Sequence, residues 1–66
     1  MSDYFSPEEL AEHLGIPLST VYMWRYRGEG PPGFRVGRHT RFRKTDVAAW
    51  VQKQMDRDRA AAAARS

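Results

Sequence analysis

Helix start and stop signals divide the N-terminal part of the chain into short helical segments. Ser6 is followed by Pro7 and, three residues after the serine, by Glu9. This is the capping-box pattern, with proline at the first helical position. Gly15 stands where a helix commonly ends in the left-handed conformation. We therefore predict a first helix from about Pro7 to Leu14.

A second helix is expected after Pro17, which prevents a simple continuation of the first. Ser19 or Thr20 is expected to cap this helix, because short hydroxyl side chains favour that position. The helix should reach about Arg27, since Gly28 follows it.

The second helix has an apolar face and an outward face. At about 100° per residue, Val21 and Trp24 point towards the first helix. The outward face carries Ser19, Tyr22, Met23 and Tyr26. Two short helices joined by a few residues around a glycine, the second with such an apolar seam, are typical of a helix-turn-helix.

The following stretch predicts a β-hairpin. A loop of Gly, Glu and Pro covers residues 28–33, and apolar and basic residues then alternate. Gly37, Arg38 and His39 interrupt the alternation as a turn would. The expected inward side chains are Phe34, Val36, Thr40 and Phe42, and the expected outward ones are Arg35, Arg41 and Arg43. Such a hairpin would be a wing that caps the core on one side and is basic on the other.

A third helix should begin at the Thr45 cap, with Asp46 in its first turn. Its expected apolar stripe consists of Val47, Trp50, Val51 and Met55. From Asp56 the stripe gives way to charged residues and an alanine run at residues 60–64. This tail either extends the helix into solvent or frays, and it is either disordered in the monomer or packed on another chain.

Charge is distributed unevenly along the chain. Residues 1–19 carry four acidic residues and no Lys or Arg. Residues 20–44 carry seven basic residues against one acidic, a net charge of +6, although the whole chain has only +3. An arginine-rich segment of this kind is typical of a polyanion partner, because Arg binds phosphate bidentately and contacts guanine edges. A solubilising surface is the alternative.

Several classes of protein are not expected from the composition. There is no cysteine, and the two histidines, His13 and His39, are too far apart to be a ligand pair, so we expect no disulfide, metal or other cofactor. No apolar stretch approaches the length of roughly 20 residues that spans a bilayer, and none resembles a signal peptide. We therefore expect neither membrane spanning nor classical secretion. Paired histidines, a phosphate loop and a catalytic triad are also missing, so we do not expect an enzyme.

A set of motifs extends over both short helices, the loop, the wing and the third helix. It comprises residues 5–11, Leu14, Gly15, Ile16, residues 19–22, Trp24, residues 28–32, residues 35–38, residues 41–43, Asp46, Val47 and Trp50. Over about residues 4–54 the chain thus resembles the small excisionase-type helix-turn-helix proteins related to the MerR DNA-binding domain. The resemblance implies a mostly α fold with a small β-hairpin, a MerR-like winged helix-turn-helix in residues 1–55. Residues 56–66 would be a charged, Ala-rich helical extension or a disordered tail.

The resemblance also implies sequence-specific binding of double-stranded DNA. Phage and plasmid members of the family act as excisionases, or recombination directionality factors, which bend attachment-site DNA and help a phage integrase to excise. Others are small MerR- or AlpA-like transcriptional regulators. The excisionase role is preferred because a long dimerisation helix and effector domain would not fit after Met55. The expected partners are DNA, an integrase and further copies on adjacent sites, in the cytoplasm and nucleoid of a bacterial host. A protein-interaction module that grips an acidic partner is the alternative class.

The second helix would be the recognition helix, which enters the major groove. Its candidate DNA contacts are Ser19, Thr20, Tyr22, Met23, Arg25, Tyr26 and Arg27. The two hydroxyl residues at its start could instead only cap the helix, and Tyr22 could pack against the wing. Arg25 could pair with Glu9 or Glu12. Arg27 could instead serve the negative end of the helix dipole.

Further DNA contacts are expected on the wing. The candidates are Arg35, Arg38, His39, Arg41, Arg43 and Lys44. Arg38 and His39 occupy the expected tip, from which a side chain can reach the minor groove. The other cations are phosphate candidates, with a solvated strand face as the alternative. Trp24 and Trp50 are assigned to the core in preference to stacking on a base.

Overall fold

Three helices and a small antiparallel sheet make up the fold of the computed structural model, which describes residues 2–65. The elements are, in chain order, β1 (Tyr4–Phe5), α1 (Pro7–Leu14), α2 (Leu18–Arg27), β2 (Phe34–Val36), β3 (His39–Arg43) and α3 (Lys44–Arg65). The expected architecture, mostly α with a β wing, is confirmed as a winged helix-turn-helix.

The bounds and caps of α1 are as predicted. The Ser6 hydroxyl accepts the N–H of Glu9 at 3.1 Å, and the Glu9 carboxylate accepts the N–H of Ser6 at 2.8 Å. Pro7 occupies the first turn and is buried. Gly15 ends the helix with φ 68°, and its N–H reaches the carbonyl oxygens of the last turn. These local bonds explain why the sequence located both ends of α1.

The start of α2 differs from the prediction. Pro17, in an extended conformation, is the N-cap residue, and the helix begins at Leu18. Ser19 and Thr20 therefore lie inside the first turn, and the expectation that one of them caps the helix is wrong. The C-terminal prediction is confirmed, since Gly28 closes α2 with φ 70°.

The sheet has the strand order β1-β3-β2, with both pairs antiparallel. The sequence did not predict β1, which pairs Tyr4 with Arg43 and Phe5 with Phe42. In the wing, Val36 pairs directly with His39, so the turn contains only two residues. His39 is therefore a strand residue and does not occupy the tip as expected.

The two-residue turn also changes which side chains of β2 point outwards. Phe34 pairs with Arg41, and cross-strand partners share one face of a sheet. Phe34 and Val36 thus lie on the outer face, where they are 41% and 55% exposed, and the prediction that they point inwards is wrong. The expected pattern would need one more residue in the turn. The inward prediction holds on β3, where Phe42 is buried.

The core is small and is built from residues of α1, α2, β3 and α3. Its buried residues are Leu10, Ala11, Val21, Phe42 and Val47. Half-buried side chains pack around it, among them Trp24, whose ring lies 5.1 Å from the Trp50 ring. Trp24 thus packs against the core as predicted. Trp50 packs on the Trp24 ring and lines two open grooves, so its assignment to the core holds only through this ring contact.

Helix α3 follows β3 without a loop. It begins at Lys44, whose N–H donates to the Asp3 carbonyl oxygen at 2.9 Å, so the expected cap at Thr45 is wrong. Met55 is 52% exposed, which ends the apolar stripe one turn earlier than predicted. The helix continues for 22 residues to Arg65 and is exposed along its last turns. No helix within residues 2–65 combines the length and hydropathy that a bilayer-spanning segment needs.

Candidate nucleic-acid interface

The outward face of α2 carries three bulky exposed side chains. Tyr26 is 92% exposed, Tyr22 is 51% exposed and Met23 is 46% exposed. Val21, on the opposite face, is fully buried against α1. The helical period predicted this separation of a buried face from an exposed face. The exposed face of α2 consists of apolar and phenolic groups that contribute little to the core.

The hydroxyl groups at the start of α2 remain available. Ser19 is exposed and Thr20 is half-buried. The backbone N–H of Thr20 donates to the Pro17 carbonyl oxygen at 3.0 Å. Pro17 has no side-chain acceptor, and the start of α2 has no side-chain cap bond, so neither hydroxyl acts as the cap of this helix. Both lie in the first turn of α2.

Two arginines continue the basic surface of α2. Arg25 and Arg27 are both exposed and lie in the last turn, where they suit the negative end of the helix dipole. Within residues 2–65 Arg25 forms no ion pair with Glu9 or Glu12. Its guanidinium instead reaches the start of the wing, where a Cβ on Gly33 would lie 3.2 Å from Nη1. This places the Arg25 charge between α2 and the start of β2.

The basic residues of the wing and of its junction with α3 differ in the contacts that they make within the protein. Arg41 is half-buried, and its Nη1 donates to the Thr40 carbonyl oxygen at 2.8 Å. Lys44 lies with Nζ 5.1 Å from the centre of the Phe5 ring. Arg38 is exposed in the turn beside Gly37. His39 and Arg43 are exposed on the same face of the sheet as Arg41. Arg35 is also exposed, but it pairs with Thr40 and so lies on the face that carries Phe42, and the prediction that it points outwards with Arg41 and Arg43 is wrong. Arg38 is therefore the cation at the projecting end of the hairpin.

An acidic side chain lies near the base of the wing. The backbone N–H of Ser6 holds the pKa of Glu9 below its ordinary value, and the Ser6 hydroxyl acts in the same direction. The positive charges of Lys44 and Arg41 lower this pKa further. Glu9 thus remains a carboxylate at neutral pH and offsets part of the charge of these two cations.

A protein-family model described as a helix-turn-helix domain matches residues 4–55. The chain belongs to this helix-turn-helix family. It is a DNA-binding family that includes excisionase-like proteins and is typically non-enzymatic. Membership supports sequence-specific DNA binding. A comparison with curated proteins finds no match, and neither does a comparison with solved structures.

The helix-turn-helix domain also carries an exposed cluster that the sequence did not predict. Tyr4, Phe34 and Val36 lie on the outer face of the sheet. The Tyr4 and Phe34 rings meet edge to face, with centroids 5.6 Å apart. The signal that could have revealed the cluster is the Gly37–Arg38 pair, because a two-residue hairpin turn with glycine first reverses the expected faces of β2.

The cavities of this helix-turn-helix domain are shallow. Two open grooves, of about 480 and 270 Å³, flank the Trp50 ring and contain Gly30 in both linings. Among the described residues there is no cluster of three or more His, Cys, Asp or Glu side chains that could hold a metal ion. The chemistry offered by the site is therefore that of exposed hydroxyl, guanidinium and apolar groups.

Proposed function

We propose that the protein is an excisionase, a recombination directionality factor that binds and bends attachment-site DNA and thereby promotes excision by a phage integrase. The observation that carries the DNA contact is the exposed outer face of α2 beside a basic wing. The excisionase role is supported by the likeness of the motifs to excisionase-type proteins. In this role the chain performs no chemistry and acts by positioning DNA.

In the proposed complex α2 lies in the major groove with its outer face against the bases. Met23 contacts base edges, where an apolar side chain favours a thymine methyl group. The hydroxyls of Ser19, Thr20, Tyr22 and Tyr26 donate to phosphate or base acceptors around it. Arg25 and Arg27 contact the backbone of the same groove.

The wing contacts the neighbouring minor groove in this proposal. Arg38 enters the groove from the two-residue turn, and such an arginine responds to groove width and potential more than to base identity. The phosphates on either side are contacted by the remaining candidates, which are Arg35, His39, Arg41 and Arg43 on the strands and Lys44 at the start of α3. Contacts in two grooves by one rigid module favour DNA that is bent between them.

A single module of this size has a small footprint, on the order of 600–1,000 Å². We therefore expect several copies to bind repeated sites, so that their bends combine. The cost of bending a site by smooth elasticity is about 1–6 kcal/mol, which the added phosphate contacts of neighbouring copies can offset.

Salt dependence on duplex DNA tests the contact itself. If about six phosphates are neutralised, affinity should fall by roughly three decades between 50 and 200 mM salt. Arg38→Ala should weaken binding and reduce the slope of log affinity against log salt by about one unit. Arg57→Ala, which removes the same charge from exposed α3, is the matched control and should leave the slope unchanged. No measurable binding at 50 mM salt would reject DNA as the ligand.

An excision reaction tests the finer role. The protein is added to a candidate phage integrase and to DNA carrying the paired attachment sites of that integrase, and excised product is measured. We expect stimulation of excision, together with position-dependent gel mobility of bent fragments. Specific DNA binding without stimulation would reject the excisionase role and favour a small transcriptional regulator.

A further inference from the structure

The outer face of the sheet combines apolar and basic side chains from three strands. We define the outer sheet face by the cross-strand partners that share it, which are Tyr4, Phe34, Val36, His39, Arg41 and Arg43. The rings of Tyr4 and Phe34 meet at 5.6 Å although their strands are not adjacent, so they pack across the central strand β3. The cluster is thus created by the fold and is not visible in any one segment of sequence.

This face takes no part in the core. The opposite face of β3 packs against α1 and α3 and buries Phe42. On the outer side Tyr4 is 38% exposed, Phe34 is 41% exposed and Val36 is 55% exposed. Three neighbouring apolar side chains left open to water on so small a domain indicate a surface that a partner covers.

Charge restricts the chemistry of that partner. The outer sheet face includes two arginines and a histidine but no Asp or Glu. Arg43 is exposed, and Arg41 holds only one guanidinium nitrogen against the Thr40 carbonyl oxygen. Phosphate groups would pair with Arg41 and Arg43, as in the proposed DNA contact, but would gain nothing from the apolar side chains between them. A polypeptide that carries both carboxylates and apolar side chains satisfies both parts of the face.

The acidic helix of a second copy fits this description poorly. Its exposed residues include Glu8, Glu9 and Glu12, whereas its apolar residues Leu10 and Ala11 are buried. Helix α1 therefore offers carboxylates without apolar side chains. This favours a different protein over a second copy as the occupant.

We propose that the outer sheet face binds an acidic segment of a partner protein in which apolar side chains alternate with Asp or Glu. The apolar side chains lie on Tyr4, Phe34 and Val36, and the carboxylates pair with Arg41 and Arg43. The inference does not rest on the excisionase role. It shares Arg41 and Arg43 with the proposed DNA contact, so an acidic segment and a duplex would compete for these two arginines. The apolar side chains of the face are not used by the proposed DNA contact.

A titration followed by the backbone amide signals of ¹⁵N-labelled full-length protein tests the proposal. The probe is a short synthetic peptide in which Glu and Asp alternate with Leu and Trp. The control probe has Gln and Asn in place of the acids. We expect the acidic peptide to shift the amide signals of β1, β2 and β3 most, and the control peptide to bind more weakly.

Two variants locate the contact. Phe34→Ser should weaken peptide binding at least about fivefold, which is typical of a contributing interface residue. Met55→Ser removes an apolar side chain of similar exposure from α3 and should leave the affinity unchanged. A thermal melt checks that Phe34→Ser is folded, and Val36→Thr provides a second, milder variant with the same expected direction. Neither wing variant should change duplex affinity, which separates this proposal from the DNA contact.

Three results would overturn the proposal. The first is the absence of peptide-induced shifts at millimolar peptide. The second is a duplex titration in which the Phe34 and Val36 signals shift most, because the face would then be part of the DNA contact. The third is a shift of the same signals with protein concentration alone, which would make a second copy the occupant.

Discussion

Replacing Gly30 by alanine should be among the most damaging single-methyl changes in this chain. Gly30 has φ 79°, a conformation that side-chain-bearing residues rarely adopt. A Cβ there would lie 2.7 Å from both Cδ2 and Cε3 of Trp24. The indole cannot withdraw freely, because it packs on the core and lies 5.1 Å from the Trp50 ring. The methyl group would therefore force either the loop or the tryptophan pair apart.

The expected loss follows from two separate effects. The left-handed conformation costs alanine about 1–2 kcal/mol, and overpacking against a fixed ring adds about 1–3 kcal/mol. Together they give about 2–5 kcal/mol, which is comparable to the roughly 3–5 kcal/mol of net stability that a domain of this size can reach. A large part of the Gly30→Ala population should therefore be unfolded at room temperature.

Gly28→Ala is the matched control. It places alanine in the same left-handed conformation, but the new Cβ does not collide with a neighbouring side chain. Gly28 has φ 70°, and no atom would lie within 4 Å of its Cβ. Its expected loss is the strain alone, and each kcal/mol lowers the melting temperature by about 4–8 °C in so small a domain. Thermal melts followed by circular dichroism, with the tryptophan band as a local probe, compare the two. Equal losses for both variants would refute the role assigned to the Trp24 contact.

Three further predictions concern the capping box and the DNA contact. Ser6→Ala should lower the free energy of unfolding by about 1 kcal/mol, measured by denaturant titration, because it removes the cap of α1. Acidification should remove the stabilisation contributed by the Glu9 carboxylate. Since its folded pKa is depressed, that contribution is present above the ordinary value of about 4.3 and is lost as pH falls through the folded pKa. Glu9→Gln, which does not titrate, should show a smaller stability change over the same pH range, and an unchanged pH profile would contradict this role. Met23→Ala should alter site preference in a binding-site selection more than it alters salt dependence, and an unchanged preference would place Met23 outside the base contact.

The helices were predictable where their signals are local. The partners of the α1 capping box lie three residues apart, so the sequence alone located that cap. The strand β1 has only two residues, and its partner Phe42 is far along the chain. No periodicity can emerge from two residues, and the pairing depends on how α1 and the wing pack together. Similarly, β3 leads directly into α3, which leaves no place for the separate cap expected at Thr45.

The wing shows how much can depend on one residue of a turn. The alternation of apolar and basic residues correctly predicted the hairpin. The prediction of which β2 side chains point inwards was wrong. The two-residue turn pairs Phe34 with Arg41, whereas a three-residue turn would have placed Phe34 inwards. The prediction counted His39 as a turn residue, whereas Gly37 followed by Arg38 is already sufficient for a two-residue hairpin turn.

The candidate site was predictable in its orientation but not in its internal contacts. A helical period of 3.6 residues was enough to place Tyr22, Met23 and Tyr26 outside. The position of the Arg25 side chain could not be predicted from this period. It depends on the hydrogen bond between Glu9 and Ser6 and on the space beside Gly33. The space beside Gly33 is created by tertiary packing and cannot be read from one segment of the sequence.

The direct passage from β3 into α3 joins the wing to the long helix mechanically. With no loop between Arg43 and Lys44, and with the junction tied to Asp3, a rotation of the hairpin must turn the helix with it. Over 22 residues the helix is about 33 Å long, so a small angle at the wing becomes a displacement of several ångströms at Arg65. The C-terminal end of α3 therefore amplifies a rotation of the wing. A fluorescent label placed there would report how far the wing rotates when a ligand binds.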